Sequence, residues 1–148
     1  DIKLDVNTVI DLKEQMQKME IGTDIAKVIK INPIYFDLAK WNIRPDAAKE
    51  LDKIVKVMKE NPTMAIELGS HTDCRSSKAY NMTLSDKRAK SSATYIISKG
   101  IDKSRIVGKG YGESKLINQC ECEGKNVVPC TEDEHQANRR TEFLITKF

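Results

Sequence analysis

One carboxylate and one guanidinium, fifteen residues apart, are the groups of this chain best placed to do chemistry. Asp73 follows Gly69-Ser70-His71-Thr72 at the predicted C-terminal end of a strand. A side chain there is held by a rigid element and still faces solvent. Arg88 stands on the helix that follows, where Asn81, Leu84, Ser85 and Arg88 are spaced i, i+3, i+4 and i+7 and share one face. If that face folds back beside the strand end, Asp73 and Arg88 flank a pocket. Asp73 then offers a carboxylate to an ammonium, and Arg88 offers a planar fork that meets a carboxylate with two parallel hydrogen bonds. The matching ligand carries both groups on one carbon, the zwitterionic end of an amino acid. Spacing alone also fits ordinary work, because an Asp past a strand often turns the chain and a helical Arg often lies solvated.

Catalytic constellations are poorly supported. Ser70 and His71 invite comparison with a hydrolase, yet Ser70 lacks a Gly-x-Ser-x-Gly elbow. Neighbours on a strand also point to opposite faces, so the two side chains diverge. A metallohydrolase needs several convergent ligands, and the chain holds only His71 and His135. A binding domain without catalytic residues, metal or cofactor is therefore expected, with a hydrolase and a protein-interaction or structural domain as the alternatives.

Four cysteines, Cys74, Cys120, Cys122 and Cys130, form an even set, three of them close together in a segment poor in core residues. That pattern favours disulfides and an oxidising compartment. A Cys120–Cys122 bond would close a very tight ring, so each is expected to pair elsewhere. Zinc held by these cysteines and His135 is the competing reading, but Cys-x-Cys departs from the usual Cys-x2-Cys knuckle.

The remaining composition bounds the class. With 25 Lys and Arg against 22 Asp and Glu and no dense basic run, the charge is too balanced to predict a nucleic-acid partner. No apolar stretch approaches the roughly 20 residues that span a bilayer, so no membrane insertion is expected from this segment. The chain opens at Asp1 with neither initiator Met nor signal segment, which predicts a mature or excised fragment. An upstream anchor or module is then conceivable.

The elements that must position Asp73 and Arg88 follow from periodicity. Residues 1–30 are read as an extension or the tail of an upstream module, with helix propensity over Asp11–Glu20 and strand character over Gly22–Ile31. Ile34-Tyr35-Phe36 is expected as the first core strand. Pro45 and Asp46 open a helix carrying Ala47, Leu51, Ile54, Val55 and Met58 at helical spacing, and Asn61-Pro62 ends it. From Met64 the period becomes two, with Met64, Ile66 and Leu68 on one face. A helix over Ser77–Lys99 ends at Gly100, and Arg105–Gly112 is a glycine-bearing strand. Thr131-Glu132-Asp133-Glu134 matches a capping box, so a helix should start there, with a final strand over Thr141–Thr146. Alternating helices and strands predict an α/β sandwich with helices packed on a mixed sheet.

Several spaced runs resemble one known family. Gly69-Ser70-His71-Thr72-Asp73, Tyr80-Asn81 and Leu84-Ser85-Asp86-Lys87-Arg88-Ala89 occur in order, followed by Lys109-Gly110-Tyr111-Gly112-Glu113 and Asn138-Arg139-Arg140-Thr141-Glu142. Together they resemble the OmpA-type C-terminal domain, a family that includes the peptidoglycan-associated lipoprotein and the flagellar stator protein MotB. The likeness covers about residues 32 to 148, which places the domain at 31–148. It implies a β-α-β-α-β core with an additional C-terminal strand and binding to the diaminopimelate residue of the peptidoglycan stem. By the resemblance, Asp73 meets the ligand's ammonium and Arg88 clamps its carboxylate. Asn81 matches a supporting position, Thr72 assists, and Arg139 with Arg140 matches a signature expected to be mainly structural and to border the groove. A periplasmic protein associated with the outer membrane, tethered to the wall, is what this implies. The chain departs from the family in Ser70 before His71, in Ser76 where many members have glycine, and in its cysteine-rich insertion, which looks like variants of the Bacteroidetes lineage. With Cys74 next to Asp73, the likeness suggests that Cys74–Cys122 pins the binding loop and leaves Cys120–Cys130 as the second pair.

Overall fold

A computed structural model describes residues 19–123 and 127–148 of the chain. Six elements build it: α1 (Pro45–Glu60), β1 (Ala65–His71), α2 (Lys78–Ser98), β2 (Ile106–Gly112), α3 (Glu132–Asn138) and β3 (Thr141–Lys147). The strands form one mixed sheet in the order β2-β1-β3, with β1 parallel to β2 and antiparallel to β3. The α/β class with helices on a mixed sheet is therefore as expected; β1-α2-β2-α3-β3 gives the β-α-β-α-β order with β3 as its last member, so among the described residues no strand is additional to it.

Register follows the alternation in sequence. Leu68 lies opposite Gly108 on one side and Phe143 on the other, while Ile66 lies opposite Ile106 and Ile145. These side chains meet Leu51, Ile54 and Met58 of α1 and Ala89, Ala93 and Ile96 of α2 in one buried cluster. Burying one such aliphatic side chain contributes about 1.5–3 kcal/mol. Caps set the helix limits. The Ser77 hydroxyl accepts from the Tyr80 amide at the start of α2, and Gly100 takes φ +103° just beyond its end. Thr131 and Glu134 form the expected capping box at α3.

Glycine determines how close α2 comes to the sheet. A Cβ at Gly110 would overlap the backbone of Asp86, and one at Gly108 would meet the Ala89 carbonyl oxygen at 2.5 Å. The Gly112 amide then donates to the Ser85 hydroxyl at 2.9 Å. These contacts fix the face of α2 bearing Asn81, Ser85 and Arg88 beside the C-terminal end of β1.

Three expectations are corrected. Ile34-Tyr35-Phe36 is not a strand and belongs to no regular element. The outer edge of β3 is instead taken by the chain around Thr23: Gly22 donates to the Ile145 carbonyl at 2.8 Å, the Ile145 amide donates to Thr23, and Asp24 bridges Leu144. Gly22–Ile31 likewise holds a 3-10 turn (Ile25–Lys27) capped by Asp24 rather than a strand. Met19 and Ile25 are buried in the common core, so the segment from residue 19 packs on the sheet where an extension was expected. The helix expected over Asp11–Glu20 lies almost wholly outside the described residues.

All four cysteines are paired. Cys74 joins Cys122 and Cys120 joins Cys130, with Cα–Cα distances of 5.5 and 6.0 Å. The zinc alternative thereby loses its thiolate ligands.

Candidate binding site

The groove is assembled at the C-terminal end of β1, where three separate tethers hold the chain. The His71 amide donates to the Arg140 carbonyl at 2.9 Å, and the Thr72 amide donates to the Gly112 carbonyl at 2.8 Å. Cys74, 3% exposed, is bonded through its disulfide to the loop after β2. Asp73 between them is 6% exposed. The Thr72 hydroxyl and the Asn81 amide both donate to the Asp73 carbonyl oxygen, at 2.9 and 3.2 Å, and Asn81 also donates to the Ser76 carbonyl and to Glu113. Asn81 and Thr72 thus shape the loop that presents the carboxylate. Ser76 takes a positive φ of 156°, a backbone setting that glycine adopts with less strain.

A groove of about 590 Å³ opens over this loop and is lined by Thr72, Asp73, Asn81, Arg88 and Arg139 together. All five residues singled out in the sequence therefore reach one cavity. Phe36, Leu38 and Tyr80 supply apolar walls. Arg88 is oriented by the segment before α1: Nε donates to the Lys40 carbonyl at 2.9 Å, Nη2 to the Asp37 carbonyl at 3.3 Å, and the guanidinium lies 4.9 Å from the Phe36 ring centroid. Burial pushes the pKa of Arg88 down, although an arginine remains charged at any physiological pH.

The pairing of Asp73 was not legible in the sequence. No ion pair joins it to Arg88 among the described residues. Asp73 Oδ2 accepts from Arg75 Nη2 at 2.8 Å and Nε at 3.3 Å and from Arg139 Nη1 at 2.5 Å, while Oδ1 accepts the Arg75 backbone amide at 2.8 Å. Burial would raise the Asp73 pKa, but hydrogen bonds from Arg75 and Arg139 outweigh it and hold the carboxyl below the usual range. Both guanidiniums also reach Glu132 at the start of α3, which they push down to about 2. Arg75 and Glu132 are the site residues that sequence reasoning missed. Arg75 follows Asp73 closely enough to suggest a local turn, but no local signal connects Glu132 to a loop 57 residues away.

His71 is not in the groove wall. It is buried, stacked on Tyr111 at 5.0 Å between centroids, with Glu142 at 3.7 Å. His135 sits on α3 with its Nδ1 unpartnered, and neither imidazole faces Ser70 with a hydrogen bond.

A profile described as the OmpA family matches residues 35–128. The chain is 35% identical over 131 residues to outer membrane protein A of Bordetella avium, covering 88% of this chain and 63% of that protein. It is 34% identical over 93 residues to the peptidoglycan-associated lipoprotein of Buchnera aphidicola, covering 63% and 54%. Among solved structures, that of the peptidoglycan-associated lipoprotein from Burkholderia pseudomallei superposes with a TM-score of 0.63 at 20% identity, over 76% of this chain and 87% of that one. The chain spans less than two thirds of the length of both curated relatives.

Proposed function

Since this chain belongs to the OmpA family, we propose that it is a non-catalytic peptidoglycan-binding domain that tethers an envelope protein to the cell wall from the periplasm. The observation that carries this reading is the juxtaposition of Asp73, just past β1, and Arg88 on α2 in the lining of one groove. Asp73 receives the ammonium of a diaminopimelate residue in the stem peptide. The exposed edge of the Arg88 fork receives the adjoining carboxylate, with its Nε and Nη2 held by backbone carbonyls. Thr72 and Asn81 keep the Asp73 loop in shape, and Arg139 borders the groove on the Asp73 side. The binding unit is residues 31–148, with the segment from residue 19 packed against its sheet.

Each charge-assisted contact supplies about 1.5–3 kcal/mol, so one stem end binds modestly. The polymer repeats its stem, and tight anchoring then arises from avidity. The rival reading, a protein-interaction or structural domain, is favoured by one observation: Asp73 already has internal partners.

Co-sedimentation with purified insoluble peptidoglycan separates the two. Wild type is expected in the pellet and is displaced by free diaminopimelate, while Asp73→Ala and Arg88→Ala remain in the supernatant. Arg88→Lys does not restore binding, because a point charge lacks the planar fork. Wild type left in the supernatant would reject the wall reading, and soluble fragments released from sacculi would reject the non-catalytic one.

A further inference from the structure

Asp73 Oδ2 has three donors on it and no room for a fourth. Arg75 Nε, Arg75 Nη2 and Arg139 Nη1 all converge there, and a carboxylate oxygen offers about two lone-pair directions. Oδ1 accepts the Arg75 backbone amide, so an ammonium that takes Oδ2 must displace one of these three side-chain donors. The two guanidiniums are not equally displaceable. The Arg139 side chain is 28% exposed and is also held by Gln136, whereas the Arg75 side chain is 45% exposed. Both also hold Glu132, Arg139 through Nη2 and Arg75 through Nη1 at 2.7 Å, so the difference lies in exposure and in Gln136, and the Nη1–Glu132 contact of Arg75 serves as a pivot. Turning about that contact frees Nε and Nη2 inside the groove without leaving the guanidinium unpaired. The groove as a whole holds three guanidiniums, of Arg75, Arg88 and Arg139, against the carboxylates of Asp73 and Glu132. One positive charge is left over for the ligand.

We propose that Arg75 sets the selectivity of this groove: it yields Asp73 to the ligand's ammonium and turns its freed donors to the ligand's carboxylate, so that an ionised amino-acid end is preferred over its amidated form. This rests on the proposed recognition of diaminopimelate and adds to it the residue that reads the ionisation state of the ligand. An amide presents one acceptor oxygen and no charge, so Arg75 and Arg88 both lose their charge-assisted partner when the carboxyl is amidated. A carboxylate gains the two freed Arg75 donors in addition to Arg88. Removal of Arg75 has opposite effects on the two forms. It deletes a contact to the acid, and for the amide it removes a competitor for Asp73 without deleting any strong contact.

The test is calorimetric titration of the 148-residue chain and of Arg75→Gln with two probes, meso-diaminopimelate and its diamide, which keeps both ammonium groups and has no free carboxylate. Wild type is expected to prefer the acid by roughly tenfold or more, the worth of one charge-assisted contact. Arg75→Gln is expected to narrow that ratio severalfold, mainly through weaker binding of the acid, with amide binding unchanged or tighter. Circular dichroism of the variant checks that the fold persists, and Arg75→Lys provides a second substitution that keeps charge and alters geometry. A purely structural Arg75 would weaken both probes equally and leave the ratio intact, which would overturn this proposal alone. Wild type that binds neither probe would overturn the diaminopimelate reading as well.

Discussion

The two ends of β1 both carry arginine, and they use it differently. At the N-terminal end, Arg105 donates Nε to the Met64 carbonyl at 2.8 Å and Nη2 to the carbonyls of Met58 and Asn61 at 2.6 and 2.8 Å. It closes the turn between α1 and β1 and forms no ion pair with a carboxylate among the described residues. At the C-terminal end, Arg75, Arg88 and Arg139 gather around Asp73 and Glu132 in an open groove. One end uses its guanidinium to satisfy backbone carbonyls that would otherwise be orphaned where the helix stops. The other end concentrates charge where only two carboxylates offset three cations. The proposed recognition thus belongs to one end of the strand alone, and perturbations at the two ends should differ in their effect on binding.

The largest effect on stability is expected from the groove end, where a covalent tie replaces hydrophobic depth. Replacing Cys74 and Cys122 together by Ser opens a loop with a sequence separation of 48. Loop entropy puts the cost near roughly 4 kcal/mol, and a melting midpoint lower by roughly 12 °C in calorimetry would agree with it. A midpoint that hardly moves would mean that the loop is held by its other contacts. Next comes Arg105→Ala, which removes three bonds from one guanidinium and should destabilise by about 3 kcal/mol in urea titration. Peptidoglycan binding per folded molecule should stay at the wild-type level, and a loss of binding would break the contrast between the two ends.

The third prediction concerns pH. Burial, aided by Arg140 and Lys115 and opposed by Glu142 and Glu67, pushes the His71 pKa down to about 4. The unfolded chain then binds the proton that the folded one refuses. Stability contributed by neutral His71 is complete above its ordinary pKa near 6.5 and is lost as pH falls from there toward 4. The lowered Glu142 carboxyl acts in the same direction. About 2–3 kcal/mol should disappear across that window, and His71→Asn should flatten the slope of stability against pH. The smallest effect is expected at Ala39, which stands in the groove-lining segment with φ +57°. Ala39→Gly should relieve about 0.5–1 kcal/mol of left-handed strain and raise the melting midpoint slightly.

Much of this arrangement was legible in the sequence where a local rule governs it. Pro45, Gly100, the Thr131–Glu134 capping box and the period-two run from Met64 each mark an element, and each element is present. The motif runs placed Thr72, Asp73, Asn81, Arg88 and Arg139 together before any coordinates did. What escaped depends on long-range competition. Ile34-Tyr35-Phe36 has strand propensity, but a strand also needs an edge, and residues 22–24 occupy that of β3 at Leu144 and Ile145. Asp73 was matched with Arg88 by family spacing, while its partners in the folded chain come from its own turn and from the far side of the cysteine loop, through Arg139 and Glu132. Pairing of that kind is decided by which guanidinium arrives with the fewest broken contacts, and no periodicity reports it.

The most direct measurement is an amide-detected NMR titration of the isotopically labelled chain with meso-diaminopimelate. The account predicts shifts confined to the groove end, at residues 37–40, 72–76 and 81–88 and around Glu132 and Arg139, with the turn at 58–64 and Arg105 silent. Shifts centred on the Arg105 end, or none at millimolar ligand, would contradict it.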